Sequence, residues 1–169
     1  MVAAALEQVM DIVEEPKKKK RKLCLICSKG ALDMAYPPLI LANAARMSGI
    51  EVDLFFTFWG LDMITEKKVD KLRVGTVGNP SMGIPPSIGA APGMEMLASR
   101  MMKKQIEELD FPEVREFLEV LQASGANLYA CKMSMDMMKL TKADLLEDIE
   151  VIGAMEFMEI SEDAQVIFI

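Results

Sequence analysis

The chain contains no histidine among its 169 residues. That absence excludes Ser-His-Asp and Cys-His nucleophilic machinery, a histidine general base, and zinc or haem sites built on imidazole. No GxxxxGK[ST] loop and no GxGxxG run occurs, so two common devices for cradling nucleotide phosphates are missing. No stretch approaches the roughly 18 uninterrupted apolar residues of a membrane span. The opening Met1 to Met10 lacks the basic start and long apolar run of a signal peptide. There are three cysteines, Cys24, Cys27 and Cys131, an odd number that argues against a disulfide framework. Together these absences lead us to expect a cytoplasmic chain with reduced thiols, no cofactor, no metal and no membrane insertion. Cysteine, serine and threonine remain as candidate nucleophiles.

What is present is globular in character: 51% apolar and 27% charged residues, enough to build a single core at this length without staples. The net charge of −7 is unevenly spread. Lys17, Lys18, Lys19, Lys20, Arg21 and Lys22 form one basic run, read here as a solvated linker. Past that run the chain holds 13 basic and 22 acidic residues, a net −9 from Leu23 onward. A body that acidic repels nucleic acid. Residues 1–22 are therefore read as an N-terminal helix with a basic linker, and residues 23–169 as the domain.

Hydrophobic periodicity outlines the elements. Val2, Leu6, Val9 and Val13 sit at helical spacing. The nearly all-apolar Leu23–Cys27 reads as a strand buried on both faces. A helix follows from Leu32 to Ser48, with Gly49 suited to its C′ position. Glu51–Phe58 is aromatic and β-branched, hence a second strand, and Leu61–Lys71 a short helix. Gly75–Met94 holds five glycines and four prolines in 20 residues, which no helix interior or central strand tolerates. Helices are expected at Glu95–Leu109 and Pro112–Ser124, and a strand at Asn127–Ala130 delivers Cys131. Helical turns at 134–139 and 142–147 lead to a strand at Ile149–Ile152, a helix at Ala154–Ile160 and a last strand at Gln165–Ile169. Strands alternating with helices predict an α/β fold: a three-layer α/β/α Rossmann-like sandwich on a mainly parallel sheet of about five strands.

In such sheets ligands sit beyond the carboxyl ends of the strands. That edge gathers Cys131, the Ser28–Asp33 turn and the Gly/Pro loop. Cys131 precedes a helical turn whose free N–H groups favour thiolate over thiol, with Lys132 adjacent. The competing reading is a small buried apolar residue, common for free cysteine. Cys24 and Cys27 form a CxxC by spacing, but three residues apart in a strand they face opposite sides, so both are read as core. A site using all three cysteines would need Cys24 to reach the edge. Asp33 and Asp136 are expected to cap helices rather than steer protons. The 16 methionines are read as a plastic core or subunit surface in preference to a copper site.

Four segments in order carry a resemblance. Ser28-Lys29-Gly30-Ala31-Leu32-Asp33-Met34-Ala35-Tyr36-Pro37-Pro38, Phe55-Phe56-Thr57-Phe58-Trp59-Gly60-Leu61, Val77-Gly78-Asn79-Pro80 and Tyr129-Ala130-Cys131-Lys132-Met133-Ser134-Met135-Asp136-Met137-Met138 resemble the DsrE/DsrF/DsrH-like proteins. The nearest branch is the one often labelled DsrE-like or peroxiredoxin. The resemblance covers roughly Lys22 to Ile169. It implies a Rossmann-like α/β/α fold assembled as a homo-oligomer, trimer or hexamer. It also implies sulfur relay: a cysteine, mapped to Cys131, accepts sulfane sulfur as a persulfide or thiosulfonate and hands it to or from other sulfur-relay proteins, with sulfurtransferase activity left open. Ser28, Lys29, Gly30, Asp33, Asn79, Lys132 and Met133 are the candidate rim of that site. Lys139 departs from the pattern, since relatives often carry glycine there. The rival reading is a non-enzymatic oligomeric scaffold with a structural cysteine. A thiol peroxidase ranks below both, because no Thr-x-x-Cys motif is present.

Overall fold

The computed structural model describes residues 21–77, 83 and 85–169. The expected N-terminal helix, Lys17 to Lys20 and Asn79 lie outside the described residues. Among the described residues five parallel strands form one sheet in the order β4-β3-β2-β1-β5. They are β1 (Lys22–Cys27), β2 (Glu51–Phe56), β3 (Asn127–Cys131), β4 (Glu150–Ile152) and β5 (Gln165–Phe168). The helices are α1 (Leu32–Met47), α2 (Pro86–Gly89), α3 (Met94–Glu108), α4 (Val114–Ala123), α5 (Lys132–Met138) and α6 (Ala154–Ile160).

The chain winds β1 to β4 in one direction, then returns to place β5 on the far side of β1. Right-handed crossovers in opposite directions put their helices on opposite faces of the sheet. The first face carries Leu23, Leu25, Cys27, Leu54, Phe56 and Leu128, packed with Leu39 of α1 and Leu118 and Leu121 of α4. The second carries Cys24, Phe55, Tyr129, Cys131 and Ile152 beneath Phe157 of α6. Phe55 and Phe157 stack with ring centroids 4.4 Å apart. Period-2 alternation explains the sorting: odd and even residues of each strand belong to different cores.

Several boundaries moved for identifiable reasons. The second strand ends at Phe56 rather than Phe58, because Phe58 turns into the left-handed region at φ +46°. The expected helix 61–71 is instead two 3-10 helices, Phe58–Ile64 and Val69–Lys71; between them Thr65 makes an antiparallel bridge to Leu145. Lys22 of the basic run is the first residue of β1, not linker. It is half-buried, its Nζ 2.8 Å from the buried Asp53 carboxylate. Within the Gly/Pro segment Pro86–Gly89 forms α2, and Thr76 donates to the Gly89 carbonyl at 2.8 Å. Gly49 (φ +72°) and Gly125 (φ +87°) close α1 and α4 in the conformation that suits glycine.

Candidate functional site

Cys131 ends β3 and is the N-cap of α5. Strand register supplies its neighbour. Phe55 pairs with Tyr129 and Phe56 with Ala130, so Thr57, one step past β2, stands beside Cys131 on the second face. α5 packs against the 3-10 helix that follows Thr57. Its first turn buries Ser134 completely, and Ser134 Oγ lies 2.9 Å from Thr57 Oγ1. Two hydroxyls from residues 77 positions apart thus meet at the carboxyl edge of the sheet.

This arrangement acts on the thiol. Cys131 is 5% exposed, and burial pushes a thiol up. The Ser134 hydroxyl and N–H, the Thr57 hydroxyl and the Met133 N–H outweigh that burial and hold Cys131 below the ordinary thiol range. Sγ makes no cap hydrogen bond of ordinary geometry; these donors favour the charged form. The other two thiols go the opposite way. Burial, then the Asp53 carboxylate, pushes Cys24 up to about 11. Burial alone raises Cys27 further still. Cys24 and Cys27 belong to different cores, so three sulfurs do not converge. Among the described residues no group of three or more His, Cys, Asp or Glu side chains is placed to hold a metal.

The other rim candidates have separate employment. Ser28 lies in the same cross-strand row as Thr57 and Cys131 by register, two strand spacings or roughly 10 Å from the cysteine. Its hydroxyl donates to the Ile169 carbonyl at 2.9 Å. Gly30 packs so tightly on the Trp59 carbonyl that a Cβ has no room. Lys29 is exposed. Asp33 does not cap α1: the N-cap is Ala31, and Asp33 accepts the Gly75 N–H at 3.5 Å. Asp136 sits within α5, exposed, and caps nothing. Lys132 is exposed; the Met133 N–H helps to lower the cysteine, while the residue itself is 65% exposed. Thr57 and Ser134 are the site residues that motif reading missed. The available signal was parity: Thr57 continues the second-face alternation of β2 to the edge where Cys131 ends β3.

The DsrE/DsrF/DrsH-like family profile matches residues 19–169. The chain is 36% identical over 156 residues to the sulfur carrier protein DsrE2 of Allochromatium vinosum, covering 88% of this chain and 97% of that protein. It is 26% identical over 159 residues to the uncharacterized protein YrkE of Bacillus subtilis, covering 88% and 96%. Two solved structures share the fold. The protein of unknown function MTH1491 from Methanobacterium thermoautotrophicum superposes with a TM-score of 0.51 at 10% identity, covering 89% of this chain and 100% of that one. The ychN protein from E. coli gives 0.50 at 14% identity, covering 88% and 99%. Among the described residues no helix is long and apolar enough to cross a membrane.

Proposed function

The chain belongs to the DsrE/DsrF/DrsH-like family, and from that premise we propose that it is a cytoplasmic sulfur carrier whose working thiol is Cys131. The observation that carries the reading is the contrast among the cysteines: of the three, Cys131 alone sits where its surroundings favour thiolate. A relative 36% identical is named a sulfur carrier protein, which agrees with a relay role.

In this reading the Cys131 thiolate attacks the outer, sulfane sulfur of a persulfide, polysulfide or thiosulfate donor. A Cys131 Sγ–S bond forms as the donor's bond to that sulfur breaks. The departing thiolate or sulfite keeps the electron pair, so no external oxidant is consumed. The Met133 and Ser134 N–H groups, with the one proton that the bonded Thr57–Ser134 hydroxyl pair has left to give, favour the anion before attack, without any histidine base. Release to an acceptor thiolate reverses the exchange, Cys131 thiolate leaving. The donor or acceptor is another sulfur-relay protein, and exposed Trp59, Met133 and Met137 on the two flanking elements give it an apolar surface. We also propose that the carrier works as a homo-oligomer.

Intact-protein mass after brief exposure to polysulfide or thiosulfate tests the assignment. Wild type should gain about one sulfur mass as a persulfide. Cys131→Ser should lose that gain, and the Cys24→Ser/Cys27→Ser double variant should keep it. An unmodified, folded wild type would make Cys131 a packed structural thiol and favour the scaffold reading.

A further inference from the structure

Thr57 precedes the first residue of the 3-10 helix Phe58–Ile64. A threonine there ordinarily spends its hydroxyl on the free N–H groups of the helix it begins. Thr57 makes no such bond; its Oγ1 lies 2.9 Å from Ser134 Oγ instead. The next residue explains the diversion. Phe58 adopts φ +46°, a left-handed conformation that is a genuine outlier for a bulky side chain. Core burial does not offset that strain, since Phe58 remains 44% exposed.

The surrounding backbone holds the turn in place. The Thr57 N–H donates to the Cys27 carbonyl at 3.0 Å, and the Gly60 N–H to the Thr57 carbonyl at 2.9 Å. Gly60 lies directly on the Cys27 carbonyl, where a Cβ would collide, and Gly30 lies in the same way on the carbonyl of Trp59. The turns after β1 and β2 are thus clamped backbone to backbone. Such over-determined strain clusters where a geometry is needed for function.

We propose that the left-handed Phe58 turn is a positioning device for Cys131: by bending the chain immediately after Thr57, it withholds the Thr57 hydroxyl from its own helix and delivers it to Ser134 and the thiol. The inference rests on the reading of Cys131 as a working thiolate. Phe58 touches no substrate in this scheme and acts through Thr57.

The test is the pH dependence of Cys131 alkylation by iodoacetamide, followed by peptide mass so that Cys24 and Cys27 do not contribute. Thr57→Val should raise the midpoint by about one unit, the scale of one hydrogen bond to a charged acceptor. Phe58→Gly accepts the left-handed turn without strain and should keep the wild-type midpoint. Phe58→Pro demands a negative φ and should raise the midpoint as Thr57→Val does. The Phe58→Pro/Thr57→Val double variant should go no higher than either alone. A Phe58→Pro protein that melts earlier yet keeps the wild-type midpoint overturns the proposal, as do shifts that add in the double variant. Should the proline variant not fold, Phe58→Val, whose branched side chain opposes the same turn, must shift the midpoint upward or the proposal falls. A wild-type midpoint at the ordinary thiol value would instead refute the carrier reading itself.

Discussion

Ser134→Ala removes one oxygen from the site, and its consequences differ for the two protonation states of Cys131. The side chain is wholly buried and its hydroxyl bonds Thr57 at 2.9 Å. With the thiol protonated, the variant chiefly leaves the buried Thr57 hydroxyl without its partner, at a cost of about 1–3 kcal/mol. With the thiolate, it also removes the hydroxyl that does most to lower Cys131. A hydrogen bond to a charged group contributes about 1.5–3 kcal/mol, and one pKa unit corresponds to about 1.4 kcal/mol. Three donors remain, so the low end applies and the midpoint should rise by about one unit. Below both midpoints, alkylation at constant pH should then slow roughly ten-fold. The sign on stability follows from the lowered native value. Between the native midpoint and about 8.5, the unfolded chain holds a proton at Cys131 that the native state has lost, so this group's contribution grows with rising pH. It is lost as pH falls through the native midpoint, and Ser134→Ala narrows the window. The assay is peptide-resolved alkylation from pH 5 to 10 beside denaturant melts at both ends. A variant that melts earlier but alkylates on the wild-type pH curve would refute the reasoning and leave Ser134 a packing residue.

Three further outcomes follow from the same structure. Cys24, raised to about 11, stays protonated in the native state after the unfolded chain has ionised; its stabilisation is complete below about 8.5 and disappears as pH climbs toward 11. Urea midpoints for Cys24→Ala should therefore fall less steeply between pH 8.5 and 10.5 than those of wild type; parallel curves would contradict this. Lys139 closes α5 at φ +55° while exposed, so Lys139→Gly should stabilise the protein by about 0.5–1 kcal/mol in a denaturant titration; a loss of stability would show that the lysine side chain contributes more than the turn costs. Gly60→Ala places a Cβ into the Cys27 carbonyl. Backbone must move to admit it, so this variant should lose more than about 3 kcal/mol or fail to accumulate folded, and a near-neutral result would mean the clamp between the turns is soft.

Much of the frame was legible because it depends on local pattern. Leu23–Cys27 is too apolar for a one-sided strand, and its parity alone sends Cys24 and Cys27 to different cores, as found. The helix Ala154–Ile160 and the glycine stops at Gly49 and Gly125 were readable from spacing and turn chemistry. What escaped depends on tertiary contact. The Thr57–Ser134 pair exists only because β2 and β3 are neighbours in register, and no local pattern marks either hydroxyl. Phe58 looks like a strand residue, since its composition says nothing of the clamp that forces it left-handed. Asp33 failed as a cap because α1 begins one residue before it, with Ala31 at the N-cap. Lys22 reads as linker because five basic residues precede it; only the buried Asp53 across the strands explains its place in β1.

The chemistry that a histidine-free chain can run depends on how three identical side chains are made different. A carrier needs a thiolate that attacks readily and also leaves readily. Nucleophilicity falls as a thiol's pKa falls, whereas leaving ability improves, so the best compromise lies near ambient pH. A fully exposed cysteine sits somewhat above that point, and a deeply buried one far above it. Cys27 shows the second case, where desolvation acts without opposition. Cys131 is nearly as buried by exposed surface, yet its direction is reversed by donors from two separate elements. Those donors are neutral hydroxyls and amides rather than a cation, so they lower the thiol without tying it into an ion pair. In the proposed carrier, the same burial would keep water and stray thiols from a sulfane sulfur held on Cys131. Opposing burial against several neutral donors thus favours the thiolate of a cysteine that stays shielded, a combination that neither a surface cysteine nor a core cysteine supplies.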